Sequence, residues 1–217
     1  MRTDILRKTA LTALTITATA GGIAGPALAA HAAPTDKPAA QAERKPNGER
    51  QLKVDYEAQP NFYYCGPAAA RNALSVQGKD IDVDAMAKIM GTTENGTNSI
   101  NDITPVLNKE TGKTDAYRSV EIKTGKADAK QTDALRADIV RTVDNGRAIV
   151  ANIAGTATDT DGGTHSFEGG HYISVTGYEN NGKTVTIADS ADPATASYEM
   201  DIDTLADWIA TRGYSTS

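Results

Sequence analysis

Cysteine is almost absent from this sequence, since Cys65 is the only one in 217 residues. A single thiol excludes an intramolecular disulfide, a Cys-x-x-Cys redox pair and a cysteine-rich zinc site. Three interpretations remain for it: an inert buried side chain, an intermolecular link or a nucleophile. The rest of the sequence has to decide among them.

An excess of positive charge is also missing. The chain has 22 Lys and Arg against 28 Asp and Glu, a formal net charge of -6. Binding to nucleic acid or to an anionic membrane requires clustered positive charge, so we expect neither partner. Aromatic residues are few, with one Trp and two Phe, but 39% hydrophobic and 23% charged residues are typical of a globular protein. The length favours one domain.

The amino terminus has the pattern of a secretory signal peptide. Its first eight residues include three basic ones, and after them no charged residue appears until Asp36. An apolar, threonine-containing stretch is followed by small-x-small motifs that end at Ala29 and at Ala32, where we expect cleavage. We therefore predict a leader over residues 1–33 and a secreted protein that leaves the membrane once this leader is removed. A retained amino-terminal anchor is the alternative.

A charged, proline-containing segment follows the leader. Residues 34–53 contain three prolines and no apolar periodicity, which predicts a flexible linker or a short propeptide. We place the folded domain at residues 54–217. In an exported domain an exposed free thiol is a liability unless it has a purpose.

The order of elements in the domain predicts an α+β fold, with helices first and antiparallel strands later. The predicted helices cover residues 67–77, 82–90, 99–107, where Pro105 limits the length, 132–143, where Thr132 is the expected cap, and 203–211. The predicted strands cover residues 148–153, 171–178, 184–188 and 198–200.

The single thiol comes just before the first predicted helix. Pro67 suits the first turn of that helix, so Cys65 lies where the backbone amides and the helix dipole favour a thiolate. Gly66 is expected to let a substrate backbone approach. Tyr64 is expected either to line a substrate groove or to pack on the helix start. This position favours the nucleophile interpretation of Cys65.

A histidine opens the strongest predicted strand. His171 follows Gly169–Gly170, and the return strand of the predicted hairpin ends at Asp189. Because a hairpin brings its two ends together, Asp189 is expected to reach the imidazole and orient it, with Asp192 as the second choice. His165 is predicted to be exposed in a mobile loop that can cover the cleft.

Metal and cofactor sites are not expected. Residues 159–162 (DTDG) form a fragment of a calcium loop, but the glycine comes two positions early and no suitable glutamate closes the loop. The proposed chemistry needs no metal, and the remaining histidines and single cysteine are too few for a zinc site.

Three segments together resemble a known family. The run QPNFYYCGPAAARNAL (59–74), the GHY strand start (170–172) and the VTIAD strand (185–189) resemble the papain-like cysteine peptidases of the bacteriocin-processing type, cysteine peptidase family 39. The resemblance implies a papain-like fold with a helical first half and an antiparallel sheet in the second. It also implies site roles, with Cys65 as nucleophile, His171 as general base and acid, Gln59 in the oxyanion hole, Asp189 as orienting residue, and Tyr64, Gly66 and Gly170 next to the substrate.

Two departures from the family pattern limit what the resemblance implies. Family members usually have proline directly after the orienting aspartate, whereas Ser190 follows Asp189 and the Asp-Pro pair comes at Asp192. Members that trim double-glycine leaders are fused to transporters, and this sequence has neither several spans nor a phosphate-binding loop. We therefore expect a free-standing, monomeric, secreted peptidase acting on a peptide or protein substrate. The alternatives are an amide acyltransferase with the same triad and a catalytically silent binding or inhibitory module.

Overall fold

The computed structural model describes residues 48–217. The predicted leader and most of the predicted linker lie outside the described residues. Within the described part, no helix is both long enough and apolar enough to span a bilayer. The α+β prediction is confirmed, with helices concentrated in the first half and strands in the second.

Five helices form the helical part of the described chain. Their bounds are α1 Cys65–Ser75, α2 Val83–Met90, α3 Ile100–Thr111, α4 Ala129–Asp144 and α5 Ile202–Ile209. Helix α3 continues past Pro105 and is longer than predicted. Proline has no N–H to donate to the Asn101 carbonyl, but both residues are exposed, so water can bond this carbonyl. Helix α4 begins one turn before the predicted cap, since Asp128 and Gln131 form a capping box there.

The seven strands of residues 48–217 form one antiparallel sheet in the order β2-β7-β3-β4-β5-β6, with β1 paired to β4. Their bounds are β1 Arg50–Gln51, β2 Arg118–Glu121, β3 Ile149–Thr158, β4 Thr164–Glu179, β5 Thr184–Ala188, β6 Ser197–Asp201 and β7 Gly213–Thr216. Strands β1, β2 and β7 were not predicted, and β1 lies in the segment predicted to be a linker. Leu52, directly after β1, is buried in the core.

Strand β4 extends well beyond its predicted start at residue 171. It pairs with β3 as far as Thr158 and Thr164, so the predicted mobile loop around His165 is largely a β-hairpin. His165 is correspondingly not exposed, since its side chain retains only 10% of its accessible surface. The prediction of an exposed histidine was wrong because the alternating pattern of the preceding strand was interpreted as a loop.

The core has two parts, and α1 belongs to only one of them. One cluster joins a face of the sheet to α4 and α5, and the other joins α1, α2 and α3 to residues of β3 and β4. All eleven residues of α1 are buried. Its alanines allow close approach to β4, where the Ser174 hydroxyl donates to the Ala69 carbonyl at 2.7 Å. The start of α1 is thus fixed against β4.

Candidate active site

Cys65 is the first residue of α1 and is buried. The preceding residue, Tyr64, gives the helix start no side-chain cap. The first amides of a helix lack intrahelical acceptors and carry the positive end of the helix dipole. The Cys65 sulfur therefore lies where negative charge is favoured.

His171 lies between Asp189 and Cys65. Its Nε2 donates to Asp189 Oδ1 at 2.7 Å, and the two side chains retain only 4% and 2% of their accessible surface. On its other side, the Cys65 side chain is close enough to raise the pKa of His171. Because Asp189 occupies Nε2, Nδ1 is the ring nitrogen that remains for Cys65. The structure thus brings together the three residues that the sequence singled out.

The charged form of His171 is stabilised in this position. Burial acts against the imidazolium, but the hydrogen bonds to Asp189 and Cys65 and the charges of both groups outweigh it and raise the pKa of His171 to about 9. His171 therefore holds its proton at neutral pH.

The carboxylate of Asp189 is held from three sides. Besides His171, the Ala191 backbone N–H donates to Oδ1 at 3.0 Å and the Tyr198 hydroxyl donates to Oδ2 at 2.9 Å. Burial favours the neutral acid, yet these hydrogen bonds and the charge of His171 keep the pKa of Asp189 below its ordinary value. Asp192 is exposed and caps a short 3₁₀ turn by accepting from the Ala194 N–H. Of the two candidates, Asp189 is the one that contacts His171.

Gln59, six residues before Cys65, is anchored by its side chain and its backbone. Its Nε2 donates to the Asn61 carbonyl at 3.0 Å, and its Oε1 accepts from the Ser190 hydroxyl at 3.1 Å. Its backbone N–H donates to the Ser190 carbonyl at 2.9 Å. These bonds tie the segment before Cys65 to the residue after Asp189, and they leave the second Nε2 proton of Gln59 available.

Packing within the protein requires glycine at position 66, whereas the sequence predicted that Gly66 lets a substrate backbone approach. A β-carbon on Gly66 would lie 2.4 Å from Thr97 Oγ1, so the residue faces the segment between α2 and α3 rather than open space. That segment is held in turn by the Tyr172 hydroxyl, which donates to the Thr97 carbonyl at 3.2 Å. Gly66 therefore allows Thr97 to pack against the start of α1.

A bulge in β4 precedes His171. Ile153 pairs with His171 and Gly155 with Phe167, so Ala154 of β3 lies opposite three residues of β4. Gly170, the last of the three, has a φ of +95°, which a residue with a side chain rarely adopts. Bulges re-aim side chains, and this one sets the direction of His171.

Three consecutive aromatic residues precede Cys65 and contact one another in turn. The rings of Phe62 and Tyr63 meet edge to face at 5.1 Å, and those of Tyr63 and Tyr64 do the same at 5.1 Å. Phe62 is 81% exposed. The ring of Tyr64 therefore contacts Tyr63, and both interpretations of Tyr64 remain open.

The sequence did not single out the aromatic residues around His171. Phe167 stacks on the imidazole with ring centroids 4.0 Å apart. On the other side of the triad, His165 stacks on Tyr198 at 3.7 Å. His165 and Phe167 are two residues apart, a spacing typical of one face of a strand, and this spacing could have predicted that they lie on the same face as His171.

The calcium-loop fragment has a structural role. Asp159 Oδ1 accepts from the N–H groups of Asp161 and Gly163, and Oδ2 bonds His165 Nε2 at 2.9 Å. The carboxylate thus closes the hairpin turn and holds His165. In the described range, no cluster of three or more possible metal ligands occurs.

Comparison with known proteins agrees with this architecture. The model of the C39-like peptidase family matches residues 51–216. The peptidase domain of Streptococcus ComA, a bifunctional ABC transporter involved in quorum sensing, aligns with a TM-score of 0.50 and 16% identity over 76% of this chain and 98% of that one. A C39-like peptidase from Bacillus anthracis aligns with a TM-score of 0.52 and 11% identity over 76% and 94%.

A search of curated proteins gave no significant match. At these identities the two solved structures support the fold alone, while the family match covers most of the chain. The chain therefore belongs to the C39-like peptidase family.

Proposed function

We propose that this protein is a cysteine peptidase that hydrolyses peptide bonds through Cys65, His171 and Asp189. One observation carries the proposal: a buried histidine bonds Asp189 at 2.7 Å and is close enough to Cys65, the first residue of α1, for Cys65 to raise its pKa. A positioned acid or base contributes about 10² to 10⁴ in rate, which is large enough to measure.

The proposed reaction proceeds through an acyl-thioester. The Cys65 sulfur forms a bond to the carbonyl carbon, and the His171 imidazolium gives its proton to the leaving amine as the C–N bond breaks. His171 then takes a proton from water, whose oxygen attacks the thioester carbon. The C–S bond breaks, the acid leaves, and the thiolate–imidazolium pair is restored.

The same geometry supports an oxyanion hole. The Cys65 backbone N–H and the second Nε2 proton of Gln59 are the proposed donors to the carbonyl oxygen when it becomes negatively charged. A donor of this kind contributes about 10² to 10³ in rate. The hydrogen bond that Gln59 donates to the Asn61 carbonyl and the one that it accepts from the Ser190 hydroxyl keep its side chain from turning away.

The test is digestion of a peptide mixture by wild-type protein and by the Cys65→Ala variant, followed by mass spectrometry. We expect cleavage by the wild type and its loss in the variant, with similar melting temperatures. Full cleavage by Cys65→Ala contradicts the proposal. Added amine separates the two chemistries, because an acyltransferase gives amide products and a peptidase gives free acids.

Alkylation of Cys65 separates the enzyme from a silent module. Because this is the only cysteine, iodoacetamide uptake reports on one site. If His171 holds a thiolate beside it, labelling at about pH 6 exceeds that of a free thiol, whose pKa is about 8.5. Labelling no faster than a free thiol favours the binding or inhibitory module.

We further propose that residues 1–33 are a leader removed on export and that the mature protein is secreted. The support is the sequence pattern of this segment. Intact-mass measurement of protein from the culture medium tests it. We expect a mass consistent with cleavage after Ala29 or Ala32, and a full-length mass in the membrane fraction supports the retained anchor.

A further inference from the structure

Arg212 lies beside the residue that precedes the candidate base. It connects α5 to β7 and is half-buried. Its guanidinium Nη2 and Cζ come within 3.3 and 3.5 Å of the point that a β-carbon on Gly170 would occupy. The absent side chain of Gly170 therefore leaves room for the guanidinium next to His171.

Among the arginines of residues 48–217, Arg212 differs from the others in its contacts. Across residues 48–217, neither an ion pair nor a side-chain hydrogen bond engages it, whereas the other described arginines bind carboxylates, a carbonyl or an aromatic ring, namely Arg50, Arg71, Arg118, Arg136, Arg141 and Arg147. A half-buried guanidinium without a counter-charge is costly, so such groups are usually paired.

The charges of Arg212 and Cys65 both act on the phenol of Tyr172. Burial raises the pKa of Tyr172, and the charges of Cys65 and Asp102 add to this, whereas Arg212 opposes it. Cys65 and Arg212 therefore both lie near the hydroxyl of Tyr172. The carboxylate of Asp102 is engaged elsewhere, since it accepts from the Ser99 backbone N–H at 3.1 Å in the cap of α3.

The backbone around Arg212 is held in an unusual conformation. Thr211, a β-branched residue, has a φ of +70°, a region that such residues rarely adopt. The Arg212 N–H donates to the Ile209 carbonyl at 2.9 Å, and its carbonyl accepts from the Ile122 N–H at 3.0 Å. Strain of this kind persists where the surroundings enforce it and is concentrated at functional sites.

We propose that Arg212 binds a carboxylate of the substrate, so that the preferred substrates are peptides with an acidic side chain or a free C-terminus close to the scissile bond. This specificity rests on the proposed peptidase function. The guanidinium fork matches a carboxylate with two parallel hydrogen bonds. Because the chain as a whole is acidic, a cation beside Gly170 makes the selection local.

The first experiment needs no peptidase activity. Iodoacetate and iodoacetamide both alkylate the Cys65 sulfur with loss of iodide, and only iodoacetate carries a carboxylate. We expect Arg212→Gln to slow iodoacetate about three- to tenfold relative to iodoacetamide, because one favourable charge is removed. Arg212→Lys retains the charge and should keep part of the preference. The control is Arg136→Gln on the outer face of α4, which should leave the ratio unchanged.

An unchanged ratio in folded Arg212→Gln overturns the proposal. Iodoacetamide serves as the internal reference, since any general change in thiol reactivity alters both reagents. Melting temperatures of the variants establish folding. If the ratio falls but no peptide is cleaved, the carboxylate site is supported and the peptidase function is contradicted, so the two failures are distinguishable.

The second experiment identifies the source of the carboxylate. Peptide pairs differ by Glu against Gln near the cleavage site, or by a C-terminal acid against its amide. We expect wild-type kcat/KM to favour one acidic member about tenfold and Arg212→Gln to lose this preference. Equal or better cleavage of both neutral members by the wild type overturns the proposal.

Discussion

Single side chains decide the chemistry of this site, and Asp189 shows it most directly. Asp189 and Asp192 are three positions apart in the sequence, and both were candidates for orienting the histidine. Only Asp189 contacts His171, while Asp192 accepts a hydrogen bond from the backbone of its own turn. In the sequence, the position of Asp189 at the end of the strand predicted over residues 184–188 favours Asp189. The family pattern of aspartate followed by proline favours Asp192 instead, because Pro193 follows Asp192.

The two aspartates form a matched pair of variants. We expect Asp189→Asn to lower kcat/KM about ten- to hundredfold and to move the alkaline limb of its pH profile to lower pH. The reason is that Asp189 raises the pKa of His171, so its loss lets the imidazolium deprotonate earlier. Asp192→Asn should leave both unchanged. Equal effects of the two substitutions would contradict the assignment.

Tyr198 is a candidate positioning residue that sequence patterns could not identify. Its hydroxyl donates to Asp189 Oδ2, and burial together with the Asp189 carboxylate raises the pKa of Tyr198, so the donor proton is kept. Tyr198→Phe should lower kcat about tenfold with little change in KM and shift the pH profile. Tyr56→Phe is the control, because the Tyr56 hydroxyl donates to the backbone carbonyl of Asp189 instead. A KM effect alone would exclude the positioning role.

At the scale of elements, α1 was predictable while its surroundings were not. The good helix formers that follow Cys65 and Gly66 predict a helix over residues 67–77, and both of its ends lie within two residues of those of α1. Strands β2 and β7 are short, and each pairs only with strands that are distant in sequence. The alternation of polar and apolar residues in these short segments therefore did not predict them. The position of Arg212 beside Gly170 likewise depends on a contact between segments that are distant in sequence.

The contact between α1 and the segment before α3 gives a stability test. Gly66→Ala places a β-carbon against Thr97 and should lower the free energy of unfolding by about 1–3 kcal/mol, since overpacking forces a backbone shift. Chemical denaturation measures the change. The Gly66→Ala/Thr97→Gly double variant should lose less stability than the two single effects added together. Strict additivity would show that the two residues do not compete for space.

At the scale of the whole molecule, the histidine links stability to pH. The pKa of His171 is raised from 6.5 to about 9 on folding, so the folded chain binds the proton more tightly than the unfolded chain. This stabilisation is complete below about pH 6.5 and is lost as the pH rises through about 9.

Denaturation at several pH values tests this linkage. The free energy of unfolding should fall by about 1–3 kcal/mol between about pH 6.5 and 9, and the fall should be smaller in Asp189→Asn, where His171 loses its main partner. The measurement is a urea titration at each pH. A wild-type stability that stays constant or rises over this range disagrees with the stabilised imidazolium.

The position of β7 has a consequence for the way the chain acquires its structure. β7 follows every other described element in the sequence, yet it lies in the interior of the sheet between β2 and β3, with all four residues buried. Until those residues leave the ribosome, β2 has no neighbour in the sheet and the β3 edge is open. The sheet that carries His171 can therefore be completed only after these last residues are synthesised, which leaves a time window in which a chaperone can act on the unfinished chain.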